Sequence, residues 1–126
     1  MDEYKRLPES ELDIMLVVWA AKGEMAAPDI LANLSRPLTA SALHSYLKRL
    51  EEKRFLSCRK VGKTNRYTAL VTQAAYQEQE GKTVLDKLYA GSLKRFTAAL
   101  YDGGALSRSD VDELRAYLDE LEKGGI

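Results

Sequence analysis

Residues 38–71 read LTASALHSYLKRLEEKRFLSCRKVGKTNRYTALV, and two periodicities meet inside them. In the first half Leu43, Tyr46, Leu47 and Leu50 recur at i, i+3, i+4 and i+7, one face of an α-helix. Thr39 is a good N-cap for that helix, with Leu38 at the preceding position. Two residues further on, about 200° around the helix at roughly 100° per residue, Ser41, His44, Ser45 and Lys48 share the opposite face. All four are small or hydrogen-bonding side chains, and no acid joins them before Glu51. An ordinary solvated face tends to be rich in Glu and Lys. Past residue 54 the pattern becomes strand-like over residues 55–61 and 65–71. Gly62-Lys63-Thr64-Asn65 supplies the turn, since Gly and Asn tolerate positive φ.

Upstream lie two more helices. In LPESELDIMLVVWAAKG (residues 7–23), Leu12, Met15, Leu16 and Trp19 fall on one face, so Trp19 is expected in the core. Pro8 suits the first turn, Glu9 and Glu11 favour the positive helix end, and Gly23 ends the helix. APDILANLS (residues 27–35) reads as a short helix with Pro28 near its start and Ile30, Leu31 and Leu34 turned inward. Helix, helix, helix, hairpin is the order of a winged helix-turn-helix. The fold class expected is mainly α with a small β-hairpin, the winged helix occupying residues 1–71 and a helical tail residues 72–126.

The tail carries apolar stripes. Val84, Leu85, Leu88 and Tyr89 form one, followed by Leu93, Phe96 and Leu100, with Gly91 and Gly103-Gly104 as punctuation. A last helix opens at a Ser with an acid three residues on, either Ser107 to Asp110 or Ser109 to Asp112. It aligns Val111, Leu114, Leu118 and Leu121. A tail of about 55 residues has little scope to close a core of its own. Pairing with a second copy is the simplest way to bury these stripes.

The whole chain, 126 residues, carries 19 basic and 19 acidic side chains. That neutrality hides a segregation. Residues 1–35 carry net −4, residues 36–66 net +7, and residues 67–126 net −3. The middle segment holds Arg36, Lys48, Arg49, Lys53, Arg54, Arg59, Lys60, Lys63 and Arg66 against Glu51 and Glu52. Such a local excess is an electrostatic footprint for a polyanion, or else a solvated charged face. Lys53 and Arg54 read as structural, finishing the helix dipole.

Other classes fall away. One His and one Cys cannot build a zinc site of the usual kind or a catalytic triad, and no phosphate-binding glycine motif occurs. No enzyme activity, metal or cofactor is expected. Cys58 has no internal partner, which fits a reducing cytoplasm, and its place in a strand suggests that it packs in the wing or core. The longest apolar run, residues 14–21, is too short to span a membrane, and MDEYKRLPES has no apolar leader region.

The functional reading is a DNA-binder. Thr39, Ser41, Ala42, His44 and Ser45 would meet base edges in the major groove. Lys48, Arg49 and the wing residues Lys60, Lys63, Thr64 and Arg66 would hold the phosphate backbone. A protein-interaction adaptor, in which the winged helix binds an acidic protein surface, is the alternative. A small-molecule-sensing regulator is a third reading that no polar cluster in the tail supports.

LPESELDIMLVVW, LHSYLKRLEEKRFL, GKTNRYTALV, LDKLYAGSLKRFTAAL and LSRSDVDELRAYLDEL together resemble the penicillinase repressor (BlaI/MecI/CopY-type) family of transcriptional regulators. The resemblance runs from about Leu7 to Leu121. It implies a homodimer with an N-terminal winged helix and a C-terminal helical dimerisation domain. Such a dimer would bind dyad-symmetric operators of antibiotic-resistance or copper-transport genes. In the β-lactam branch it further implies a membrane sensor-protease system that cuts the tail at an Asn-Phe bond. Ala99-Leu100 stands at that place here. The copper branch's Cys-rich tail motif is absent, since no Cys follows Cys58. The family often has Gly at the end of the third helix, where this chain has Arg54 and must turn without glycine's φ freedom.

Overall fold

A computed structural model describes residues 6–124. The first five residues, read above for a leader, and the last two lie outside the described residues. The elements run α1 Glu9–Ala21, β1 Met25–Ala26, α2 Ala27–Asn33, α3 Ala40–Glu52, β2 Leu56–Val61, β3 Thr64–Ala69, α4 Gln73–Tyr89, α5 Leu93–Asp102 and α6 Arg108–Lys123. They form a winged helix-turn-helix followed by helices. The chain divides into two compact units between Glu80 and Gly81, inside α4. The sequence suggests a boundary at residue 71. The division falls later because Tyr76, from the first turn of α4, belongs to the first unit's core.

In the first unit the antiparallel sheet has the order β1-β3-β2. Cys58 lies opposite Tyr67 and Arg59 opposite Arg66, while β1 adds Met25 beside Tyr67 and Ala26 beside Arg66. The hairpin was expected; β1, two residues long, carries no periodic signal. The turn is also tighter than expected. Val61 pairs with Thr64, leaving Gly62 at φ 64° and Lys63 as a two-residue loop. Ile14, Met15, Ile30, Leu43, Leu47, Leu50, Phe55 and Leu56 are fully buried.

α1 departs from the expected face. Glu11, Ile14, Met15 and Val18 point inward, whereas Leu16 is 44% exposed and Leu12 and Trp19 are only half-buried. Residues 14–21 are apolar all round, so spacing alone could not choose the face. Trp19 instead closes the edge of the core. Its indole N–H donates to the carbonyl of Val71 (2.8 Å), and its ring lies 5.8 Å from that of Tyr76. The Tyr76 hydroxyl in turn accepts from the N–H of Leu7 (2.9 Å).

α3 ends in a Schellman motif. The Phe55 N–H donates to Leu50 (2.9 Å) and the Arg54 N–H to Glu51 (3.0 Å), with Arg54 at φ 65°. Arg54 therefore adopts the left-handed conformation that glycine favours. The second unit holds the remainder of α4 with α5 and α6. Ser92 caps α5, and Ser107 with Asp110 forms the capping box of α6, which selects the first of the two expected starts. No side chain of α5 or α6 is buried.

Candidate nucleic-acid interface

α3 is held by its apolar stripe, so its opposite face is free by construction. Leu43, Leu47 and Leu50 are at most 1% exposed, while Ser41, His44, Ser45 and Lys48 all face solvent. The cap fixes where that face begins: Thr39 Oγ1 accepts from the Ala42 N–H at 3.0 Å. Ala42 is half-buried beneath the cap. The Ser45 hydroxyl donates back to the Ser41 carbonyl (3.3 Å) and must turn outward to meet a ligand. Arg49 lies over the Tyr46 ring, 5.6 Å from its centroid, which limits where its guanidinium can swing.

The hairpin brings a second surface to α3. A cleft of about 230 Å³ is lined by His44 from α3, Lys63 from the wing turn, Thr64 and Asn65 from the start of β3, and Ala27 and Pro28 from α2. Distant parts of the sequence thus meet in one cleft, which joins the expected base-reading His44 to the expected backbone contacts Lys63 and Thr64. Lys48, Arg49, Lys60 and Arg66 do not line it. Asn65, Ala27 and Pro28 are not among the residues expected at the site. Asn65 was visible only as a turn residue. Its register opposite Lys60, one step from Arg66, sets it on the Tyr67 face of the strand.

The cations separate into two groups. Arg36 pairs with Asp13 (2.6 Å) and Glu9 (3.2 Å), Lys53 with Glu11 (2.6 Å), and Arg59 with Glu24 (2.7 Å). Hydrogen-bonding to Asp13 and Glu24 raises the Arg36 and Arg59 pKa values above the ordinary guanidinium value, and Glu24 is held below the carboxylate value chiefly by Arg59. Lys48, Arg49, Arg54, Lys60, Lys63 and Arg66 form no ion pair among the described residues, and of these Arg66 is near enough to Glu24 to lower its carboxyl weakly. Removing the three paired cations leaves the charge on the C-terminal half of α3 and the wing.

Lys53 proves structural, as expected, but its partner is distant. Glu11 is 1% exposed and reaches from α1 to the end of α3. Cys58 is exposed, not packed, because β2 is exposed beyond Leu56. Burial, followed by the influence of Cys58, pushes the Tyr67 hydroxyl above its ordinary value. Among the described residues, no group of His, Cys, Asp and Glu is placed to hold a metal ion, and no helix is long and apolar enough to cross a membrane.

A profile of the penicillinase repressor family matches residues 7–120, nearly the whole chain. The chain belongs to that family. The Bacillus licheniformis penicillinase repressor is 25% identical over 122 residues, 95% of this chain and 94% of that protein. The Staphylococcus aureus penicillinase repressor is 22% identical over 116 residues, covering 90% of this chain and 91% of that one. The methicillin resistance regulatory protein MecI of Staphylococcus aureus is also 22% identical, over 90% of this chain and 94% of its own. The likeness to these penicillinase repressors spans both units, so neither the winged helix nor the helical tail is an addition peculiar to this chain.

Proposed function

We propose that this member of the penicillinase repressor family is a cytoplasmic, DNA-binding transcriptional repressor that acts as a homodimer on a dyad-symmetric operator. One observation carries the reading: the acid-free stripe of α3 and the wing converge on a common cleft, which His44 and Lys63 line together. Thr39, Ser41, Ala42, His44 and Ser45 meet base edges in the major groove. Lys48, Arg49, Lys60, Lys63, Thr64 and Arg66 hold the backbone and set the register. The second unit supplies the dimer contact, through the stripes from Val84 to Leu121. The regulated genes are of the β-lactam-resistance type or related.

Inactivation fits a cut in the second unit by a membrane sensor-protease system. Ala99-Leu100 lies inside α5. A protease reaches such a bond through local opening, and α5 has no side chain buried within its own chain, so the proposed dimer contact at Leu93, Phe96 and Leu100 is what holds it closed. The cut separates the dimer contacts, and two half-site contacts lose their avidity once unlinked.

The test is a fluorescence anisotropy titration with duplex from upstream of the gene and with random duplex, each at two salt concentrations. The expected preference for the upstream duplex is roughly 10³-fold or more. About six phosphates neutralised per subunit give a log–log salt slope near −5 per subunit. Equal, feeble binding to both duplexes would instead favour the adaptor that binds an acidic protein surface. Incubation in host lysate with a β-lactam, followed by mass spectrometry, tests for a cut near residue 100.

A further inference from the structure

Glu24 is paired with the wing cation Arg59, and the proposed mode of binding makes no use of it. It lies in the turn before β1 and sends a two-pronged contact to Arg59 on β2, Nε to Oε2 at 2.9 Å and Nη2 to Oε1 at 2.7 Å. Such fork-to-fork pairs are among the stronger hydrogen-bonded contacts. β3 runs between the two strands, and its Arg66 is the register partner of both Ala26 and Arg59. Arg59 and Arg66 therefore share one face of the sheet as a cross-strand pair of like charge. Glu24 responds to both, its carboxyl being held down first by Arg59 and more weakly by Arg66. The pair is not sealed from solvent: the Arg59 side chain is 65% exposed and that of Glu24 32%. A phosphate can therefore compete for the same guanidinium.

We infer that Glu24 is an affinity-limiting residue of the wing, which withholds Arg59 from DNA phosphates and so lowers sequence-independent binding. The inference rests on the DNA-binding reading above. Its physics is a substitution of partners. While Glu24 occupies the fork, Arg59 adds no net charge to the surface and releases no counterion on binding. With Glu24 neutralised, Arg59 is one more cation on the strand that leads to the Gly62-Lys63 turn. One further phosphate contact steepens the salt slope by about 0.9 and strengthens binding about fivefold at 0.15 M salt.

The experiment compares the full chain with Glu24→Gln, Arg59→Gln and the double variant Glu24→Gln/Arg59→Gln. Each is titrated against random duplex at four salt concentrations, with thermal melts to establish folding. Glu24→Gln should bind about fivefold tighter per subunit at 0.15 M salt, with a slope steeper by about one. The double variant, with the wild-type net charge, should return to the wild-type slope. If both variants tighten binding equally, Glu24 acts by its own repulsion, and the inference fails. An unchanged or weaker slope in Glu24→Gln, on a wild-type chain that does bind duplex, overturns this inference alone. A wild-type chain that binds no duplex overturns the DNA-binding reading and this inference with it.

Discussion

α3 and α6 carry the same kind of leucine stripe and meet opposite fates. Leu43, Leu47 and Leu50 are at most 1% exposed, whereas Leu114 and Leu118 remain 43% and 44% exposed. Tyr101 and Leu88 are still more open, at 67% and 70%. The first unit has three elements to lay over α3: α1, α2 and the sheet. The helices of the second unit bury none of their side chains from α5 onward. Periodicity says which face of a helix is apolar and nothing about what covers it. The first unit closes a core of its own, and the second leaves its apolar stripes open, as the proposed dimer requires.

The largest effect tests that asymmetry. Leu114→Asp with Leu118→Asp should turn a dimer into a monomer by sedimentation at micromolar concentration. Operator affinity should fall on the order of 10²–10⁴-fold as avidity is lost, while the helical and strand signal of the first unit survives. A wild-type chain that is already monomeric at that concentration would break the comparison.

The next effect lies inside the first unit. Lys53→Met leaves Glu11, 1% exposed, without its partner. Breaking a buried pair from one side costs about 3 kcal/mol or more. At roughly 4–8 °C per kcal/mol for a unit of this size, the melting temperature should drop by more than about 10 °C. Glu11→Leu combined with Lys53→Met should recover most of the loss, because a hydrophobic pair needs no partner charge. A single variant that melts like wild type would show that the pair contributes nothing.

These two sites also mark what could be read without a structure. The α3 cap at Thr39 and its stripe at Leu43, Leu47 and Leu50 depend on residues within one helix, and they stood as expected. From its position alone Glu11 reads as an acid favouring a helix end. Its partner lies 42 residues away, and no local rule connects them. β1 was missed because a two-residue strand has no period. The inward face of α1 differs from the expected one because residues 14–21 offer apolar side chains in every direction. For the candidate site, the exposed stripe of α3 was legible from polarity. The expected backbone set leaves out Arg36, Lys53 and Arg59; their partners, acids on α1 and in the turn before β1, are what no local pattern shows.

A smaller pair of effects, opposite in sign, compares the two units at their helix ends. Arg54 closes α3 at φ 65°, and Gly104 closes α5 at φ 76°. A side chain in the left-handed conformation costs on the order of 1 kcal/mol. Arg54→Gly should therefore stabilise the first unit by about 0.5–1 kcal/mol, since glycine's looser unfolded chain takes back part of the gain. Gly104→Ala meets no atom within 4 Å of the added carbon, so its cost is that of the backbone alone. Urea titration should move the two midpoints in opposite directions. Movement in the same direction would mean that contacts, not φ, decide these ends.

The smallest effect separates the units by the chemistry of their caps. α3 is capped by the Thr39 hydroxyl, which does not titrate in the accessible pH range. α6 is capped by a carboxylate box: the Ser107 N–H donates to Asp110 Oδ2 (2.9 Å), and the Asp110 N–H donates to Ser107 Oγ (3.1 Å). The backbone bond from Ser107, then its side chain, holds the Asp110 carboxyl below its ordinary value of 3.8. A carboxyl depressed in the folded state stabilises the fold above its unfolded pKa, and the contribution is lost as pH falls through the folded value. The first turn of α6 should therefore fray in acid below the ordinary carboxylate range, while that of α3 does not. Amide exchange at Ser107, Asp110 and Val111, corrected for intrinsic rates and referred to the same positions in α3, reads the difference directly. In Asp110→Asn the α6 turn should be no better protected at neutral pH than in acid. Protection that falls equally at both caps would place the acid sensitivity elsewhere than in the box.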